Sequence, residues 1–241
     1  LNLQLIEQRV RQFNEFQGGY NVLVDAATNL AFQMPPNRDT IVPRARLLND
    51  LWGTVLYPGE LHLICERLVE HLPDIQAAIS QTHGLALPTS PAEIQHIIDV
   101  GRRLSGLVLD VDLTRKRKNG KPYPYSPAVF SAKFAHWLCR TTLPIVDSRS
   151  EGTLIELTGG KDQGFFTSER KRECWLIHYE NAIRFYNFAL SQLTEAQRRQ
   201  IVEFDLETQP RSIRTENTIV RILDKFLFEG QTARVRTNAS Q

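Results

Sequence analysis

The stretch SPAVFSAKFAHWLCRTTLPIVDSRSE, residues 126–151, decides how the chain is read. Its first half has helical period. Phe130, Phe134, Trp137 and Leu138 recur at i, i+4, i+7 and i+8, an apolar stripe that must be buried. Lys133, His136 and Arg140 fall at i, i+3 and i+7 on a different face, which is wholly basic or titratable. After a short turn, Leu143-Pro144-Ile145-Val146 is too short for a free strand and apolar enough to be held in a core. It delivers Asp147 to the mouth of a second helix beginning near residue 148. An acid is thus expected on a rigid element beside a cationic helix face.

The same period dominates outward from this segment. Residues 3–16 put Leu3, Leu5, Ile6, Val10 and Phe13 on one stripe, and Gly18-Gly19 stops or bends that helix. Helices are expected over 44–56, ended by Tyr57-Pro58-Gly59, and over 60–83 with a break near Pro73. Leu87-Pro88-Thr89-Ser90-Pro91 is the clearest linker, dividing a helical region 1–88 from a region 89–241. Ser90 or Thr89 caps the next helix, with Pro91 at its first position and Glu93 in its first turn, running to about Ser105. Leu107 to Leu113 reads either as a strand or as the end of that helix and a loop. Asn119-Gly120 then signals a tight turn, so a small β-hairpin is expected near 107–125. Further helices are expected over 127–140, from 148, and over 168–191, 194–204 and 215–228. With short connections throughout, the expected class is all-α, a helical bundle.

Composition sets limits on function. With 29 Lys+Arg against 27 Asp+Glu, the net charge of +2 excludes a polycation that binds nucleic acid by bulk charge, but leaves room for a local basic patch. Arg115, Lys116, Arg117, Lys118 and Lys121 form such a patch, with Tyr123 and Tyr125 following. A cluster of this kind either neutralises phosphates or is a solvated loop. No apolar run is long enough to span a membrane, and the charged N-terminal helix is unlike a secretory signal. Cys65, Cys139 and Cys174 are odd in number and never paired as C-x-x-C. The expectation is buried free thiols in a cytoplasmic protein, without a metal site or iron–sulfur cluster. Gly159-Gly160-Lys161-Asp162-Gln163-Gly164 lacks the G-K-[ST] ending of a P-loop, and neither H-E-x-x-H nor G-x-S-x-G occurs.

The 126–151 segment resembles the helix-hairpin-helix DNA glycosylases. Ser131-Ala132-Lys133-Phe134-Ala135 is similar to the G-x-[KS]-x-A helix start of that superfamily. Leu143-Pro144-Ile145-Val146-Asp147 is similar to its F-P-[VI]-x-D link, whose Asp is catalytic. The hairpin glycines of the family are absent, with Tyr125-Ser126-Pro127-Ala128-Val129-Phe130 in their place, and the Lys-to-Asp spacing is a turn shorter. The resemblance covers some 30 residues. It implies an all-α glycosylase without cofactor that flips a base out of double-stranded DNA and cleaves its N-glycosidic bond. Asp147 would stabilise the sugar cation or position water, and Lys133 would act as an amine nucleophile with associated lyase activity. Arg115, Lys116, Arg117, Lys118, Lys121, His136, Arg140 and Arg149 would contact DNA, and Trp137, Trp175 and Tyr179 would stack on the flipped base. The divergence from the family's motif points to an unusual base, such as a modified base of phage DNA.

Each residue also has a plainer reading. Asp147 is a good helix N-cap, Lys133 a phosphate contact or solvated cation, and His136 a satisfied helix histidine. Trp175, His178, Tyr179 and Tyr186 at i, i+3, i+4 and i+11 form a core stripe as readily as a base pocket. Two other function classes therefore stand beside the enzyme. One is a non-catalytic DNA-binding protein of a repair or defence system. The other is a helical module that binds an acidic protein partner.

Overall fold

A computed structural model describes residues 2–157 and 172–238, without the side chains of residues 148, 149, 156, 172 and 231–238. The Gly159–Gly164 segment therefore lies outside the described residues, as does the side chain of Arg149. The described chain is mostly helical with one two-stranded antiparallel hairpin, the expected class.

The helices begin where local chemistry satisfies their first amide groups. Asn2 caps α1 (Leu3–Glu15), accepting from the Leu5 amide at 3.3 Å. Gly19, at φ +93°, separates α1 from α2 (Tyr20–Ala31), a left-handed conformation that glycine adopts without strain. Asn37 and Thr40 form a capping box on α3 (Arg38–Leu51), so this helix starts six residues before the expected position and carries Pro43 inside it. Tyr57-Pro58 does not end a helix; Pro58 is the first residue of α4 (Pro58–Glu70), where its missing amide proton costs nothing. After α5 (Leu72–Thr82), Ser90 and Glu93 build the expected capping box on α6 (Pro91–Leu109), which runs one turn beyond Ser105. The ambiguous 107–113 segment is thus helix to Leu109 and strand from Leu113.

The hairpin pairs β1 (Leu113–Lys116) with β2 (Pro122–Tyr125), Leu113 opposite Tyr125 and Lys116 opposite Pro122. Then follow α7 (Ala128–Leu138), α8 (Ser148–Leu157), α9 (Arg172–Ser191), α10 (Glu195–Thr208) and α11 (Ile219–Asn238). Helix α6 packs on α7 and α9, α8 on α11, and α1 on both α10 and α11. One continuous core runs from Ile6 and Val10 through Ile97 and Phe134 to Phe226, so it crosses the linker at 88/89. The two ends of the chain therefore meet, and helices from both build the same cavity.

Candidate functional site

Helix α7 is enclosed apart from the cavity that Lys133 lines: from Ala128 to Trp137 only Val129 is not buried. Three alanines make that possible, because Ala128, Ala132 and Ala135 let neighbouring elements approach closely. The basic face predicted for this helix consequently faces the interior. This is a correction for His136 as a DNA contact. His136 is completely buried, and its Nδ1–H donates to the Leu143 carbonyl at 2.6 Å. Burial drives its pKa down to about 3 against the pull of that bond, so the ring is neutral. Arg140 is half-buried and donates to the Asn29 side chain on α2, while its carbonyl accepts from Thr218 at 2.8 Å.

Lys133 is buried too, with a defined task. Its ammonium donates at 2.8 Å to the carbonyl of Trp52, the C-cap residue of α3. The same ammonium stands 3.9 Å from Asp147 Oδ2, with only 8% and 15% of the two side chains exposed. A cation at a helix C-terminus and an anion at a helix N-terminus are both stabilised by the helix dipoles. Asp147 occupies that second position. Its Oδ1 accepts from the Ser150 amide at 3.0 Å, and its own amide donates to Ser150 Oγ at 2.9 Å. The capping and the site readings of Asp147 are therefore compatible: one carboxylate oxygen caps α8 and the other faces Lys133.

The apolar link that carries Asp147 is fixed residue by residue. The Leu143 carbonyl takes the His136 bond, the Pro144 carbonyl accepts from the Tyr179 hydroxyl at 3.1 Å, and the Ile145 amide donates to Asp224 Oδ1 at 3.1 Å. Link and helix together place Lys133, Ile145 and Asp147 on the wall of one cavity of about 130 Å³. A cavity of roughly 150 Å³ accommodates benzene, so this one is sized for a single ring. The N-terminal region completes it, supplying Phe13, Tyr20, Asn21, Val24, Leu51 and Trp52, and α11 supplies Arg221, Asp224 and Phe228.

The aromatic lining differs from expectation. Trp137 does not reach the cavity; it packs edge-on against Trp52 at 5.5 Å. Trp175 stacks on His178 at 5.3 Å, and Tyr179 is fully buried with its hydroxyl on Pro144. Trp175 and Tyr179 belong to the core around α9, Trp137 packs between the ends of α2 and α3 against Phe32 and Trp52, and Phe13, Tyr20, Trp52 and Phe228 stand in their place on the cavity wall.

The charged residues of α11 were not anticipated. In Ile219-Val220-Arg221-Ile222-Leu223-Asp224-Lys225-Phe226 the charges fall at i, i+3 and i+4, on one face of an apolar helix. That spacing was the available signal: charges on a buried face demand partners. Arg221 donates to Asp25 Oδ1 at 2.9 and 3.1 Å and lies over the Trp52 and Phe13 rings. Lys225, wholly buried, donates to Asp205 at 2.6 Å and Asn14 at 2.9 Å. Asp224 accepts from the Tyr186 hydroxyl at 2.5 Å as well as from Ile145. Burial pushes the Asp224 carboxyl up to about 8, Asp147 adding to the shift and Arg221 opposing it, so Asp224 is mainly the neutral acid at pH 7. The cavity thus carries two carboxyl groups in unlike surroundings.

The basic hairpin divides into an anchor and a rim. Arg115 is the anchor, which corrects its assignment as a DNA contact. Its guanidinium donates to both carboxylate oxygens of Glu60 at 2.6 and 2.7 Å and to the Val55 carbonyl at 2.7 Å, between the rings of Tyr57 and Tyr125. Glu60 is held below the usual carboxylate range, chiefly by that bond. Lys116, Arg117, Lys118 and Lys121 are exposed around a turn closed by the Arg117 amide on the Lys121 carbonyl at 2.9 Å. Lys133 and Arg115 grip carbonyls only three residues apart, on Trp52 and Val55, whose Cα atoms lie within about 11 Å by chain reach. Hairpin and cavity are tied to the same short loop.

Among the described residues no group of three or more His, Cys, Asp or Glu side chains could hold a metal, and no helix is long and apolar enough to cross a membrane. No protein-family model, no curated protein and no solved structure matches the chain.

Proposed function

We propose that the protein is a DNA N-glycosylase that excises a modified base extruded into the cavity between α1, α3, α7 and α11. The observation that carries this reading is the Lys133–Asp147 pair, 3.9 Å apart, lining a cavity of single-ring size. The exposed rim of Lys116, Arg117, Lys118 and Lys121 supplies phosphate contacts, salt-dependent and blind to sequence. Aromatic rings of Trp52 and Phe13 offer a surface for a heterocycle. Heterolysis of the C1′–N bond leaves its electron pair on the base and positive charge on the sugar. Asp147, whose orientation is fixed by its cap on α8, stabilises that charge. Water then adds at C1′ and yields its proton to the carboxylate. In the lyase branch Lys133 first yields a proton to Asp147, and its amine, rather than water, forms the bond to C1′; the sugar ring then opens to the Schiff base, and loss of the C2′ proton expels the 3′ phosphate as the strand breaks.

The test is abasic-site formation on DNAs carrying ordinary, damaged, methylated and phage-hypermodified bases, read with an aldehyde-reactive probe. Wild type is expected to generate sites, and Asp147→Asn to lower the rate at least about 100-fold, the loss expected of an electrostatic catalytic group. Breaks without alkali that vanish in Lys133→Ala establish the lyase branch. Absence of sites on every DNA overturns the proposal. Salt-sensitive DNA binding in that case leaves the non-catalytic DNA-binding protein, and absence of binding at low salt leaves the protein-interaction module. Replacing Lys116, Arg117, Lys118 and Lys121 with Ala is expected to flatten the salt dependence of binding, by about one unit of slope for each phosphate no longer neutralised.

A further inference from the structure

Arg221 lines the cavity together with Lys133 and Asp147, and it is only 4% exposed. Its guanidinium uses its donors unevenly. Nε and Nη2 both donate to Asp25 Oδ1, at 3.1 and 2.9 Å. Nη1 has no hydrogen-bond partner among the described residues, yet it is not one of the atoms sealed from solvent. The unpartnered oxygen of Asp224, on the same wall, is sealed. The cavity itself reaches the surface, because Tyr20, which lines it at the start of α2, is 46% exposed. A ring that enters there meets the two N–H groups of Nη1 on the wall.

The guanidinium is held in place on its other sides. Its centre lies 4.9 Å from the centroid of the Trp52 ring and 5.0 Å from that of Phe13, and Asp25 grips one edge. Arginine is effectively always protonated, so the free edge presents a permanent charged donor that lacks an acceptor. A buried donor in that condition is costly, and an acceptor on a ligand removes the cost. We propose that Arg221 Nη1 donates to a carbonyl oxygen of the monocyclic base held in the cavity, so that the site takes oxopyrimidines. The inference rests on the base-excision reading for the nature of the ligand, and it deepens it. When the C1′–N bond breaks, its electron pair passes to the ring nitrogen and delocalises onto the carbonyl oxygen. The guanidinium stabilises that negative charge without giving up a proton, and the base leaves as an anion that solvent protonates. Asp147 then acts on the sugar and Arg221 on the leaving group.

Two measurements on the full chain test it without requiring glycosylase turnover. The first titrates the protein with free uracil and with benzene, a ring of similar size that carries no acceptor atom. Arg221→Met is combined with Asp25→Asn, because removing both partners of a buried pair costs less than removing one. This double variant is expected to bind uracil at least about tenfold more weakly than wild type, the loss of a charged hydrogen bond, and to retain benzene. Uracil affinity unchanged in the variant overturns the inference. A variant that binds neither ring has lost the cavity, and the second measurement then decides. It follows the guanidinium protons of Arg221 by NMR in 15N-labelled wild type, assigned through the backbone of α11. Uracil is expected to move them downfield and benzene to leave them without that shift. Protons unmoved at saturating uracil, or no uracil binding by wild type, also overturn the inference. The two readings fail separately. Abasic-site formation by the double variant at the wild-type rate removes the role of Arg221 and leaves the glycosylase. A negative abasic-site assay with Arg221-dependent uracil binding removes the glycosylase and leaves the base site.

Discussion

Replacing Lys225 with Met removes the cation at the centre of the buried network that holds α11 in place. The ammonium is wholly buried, donates to Asp205 Oδ1 at 2.6 Å and Asn14 Oδ1 at 2.9 Å, and stands 3.6 Å from Asp25 Oδ2. Met matches the length of the stem and keeps the contact with Phe13, so the loss is electrostatic. Breaking a buried pair by removing one partner costs about 3–5 kcal/mol, because the other charge stays buried. Asp205 retains three amide donors, from Asn14 at 3.0 Å, Gln209 at 2.8 Å and Asn217 at 3.0 Å, which places the expected loss at the lower end, about 3 kcal/mol. For a domain whose total stability is about 5–15 kcal/mol, that is a large fraction. The pH dependence gives the cause. Burial raises the Asp205 carboxyl, but Lys225, Asn217 and Asn14 outweigh it and hold it below its ordinary value. Its stabilising contribution in wild type is therefore complete above the unfolded carboxylate pKa of about 3.9 and is lost as pH falls through the lower folded value. Without Lys225 burial prevails and the folded pKa rises, so the variant regains stability as Asp205 takes up a proton. Urea unfolding followed by circular dichroism should show a deficit at pH 7.5 that narrows at pH 5, with an unchanged m value. A deficit under about 1 kcal/mol, or one equal at the two pH values, refutes the assignment of Lys225 as the counter-charge of this network.

Two further substitutions probe the elements that carry the site. A Cβ at Gly230 on α11 would stand 2.5 Å from Thr153 Oγ1 on α8, the hydroxyl that bonds the Leu227 carbonyl at 2.7 Å. Gly230→Ala is expected to cost about 2 kcal/mol by overpacking and to weaken the site by shifting α8, which Asp147 caps; an unchanged melting temperature contradicts that packing. Glu60→Gln replaces the carboxylate that Arg115 grips and is expected to cost about 2 kcal/mol at neutral pH, the loss of charged hydrogen bonds in a mostly buried setting. Because Glu60 titrates below its ordinary value in the folded protein, this contribution is present above the unfolded carboxylate pKa of about 4.3. It disappears as pH falls through the folded value, so the two proteins should converge in stability in acid.

The parts of this molecule that could be read in its residues are those set by near neighbours in the chain. The Ser90–Glu93 capping box, the Asn-Gly turn and the helix–link–helix of residues 126–151 each depend on contacts a few residues apart, and each stands where the sequence puts it. Lys133 and Asp147 were legible as a pair for the same reason: a short turn returns the chain, so 14 positions of sequence become 3.9 Å. What failed was the environment of the helix that carries Lys133. Periodicity identifies an apolar stripe, yet Ala128, Ala132 and Ala135 allow α7 to be enclosed on its other faces, and a cationic face then becomes an interior one. Pairings across the whole chain had no local signature. Arg221 meets Asp25 across 196 positions and Lys225 meets Asn14 across 211, and nothing near either residue announces its partner. Yet the demand for a partner was written in α11, where three charges share one face of an apolar helix. The same criterion, ionisable residues on a helix otherwise fit only for burial, holds for Lys133 on α7. The cavity lies where these two helices meet, and the polar groups they cannot leave unsatisfied are the ones available to a ligand.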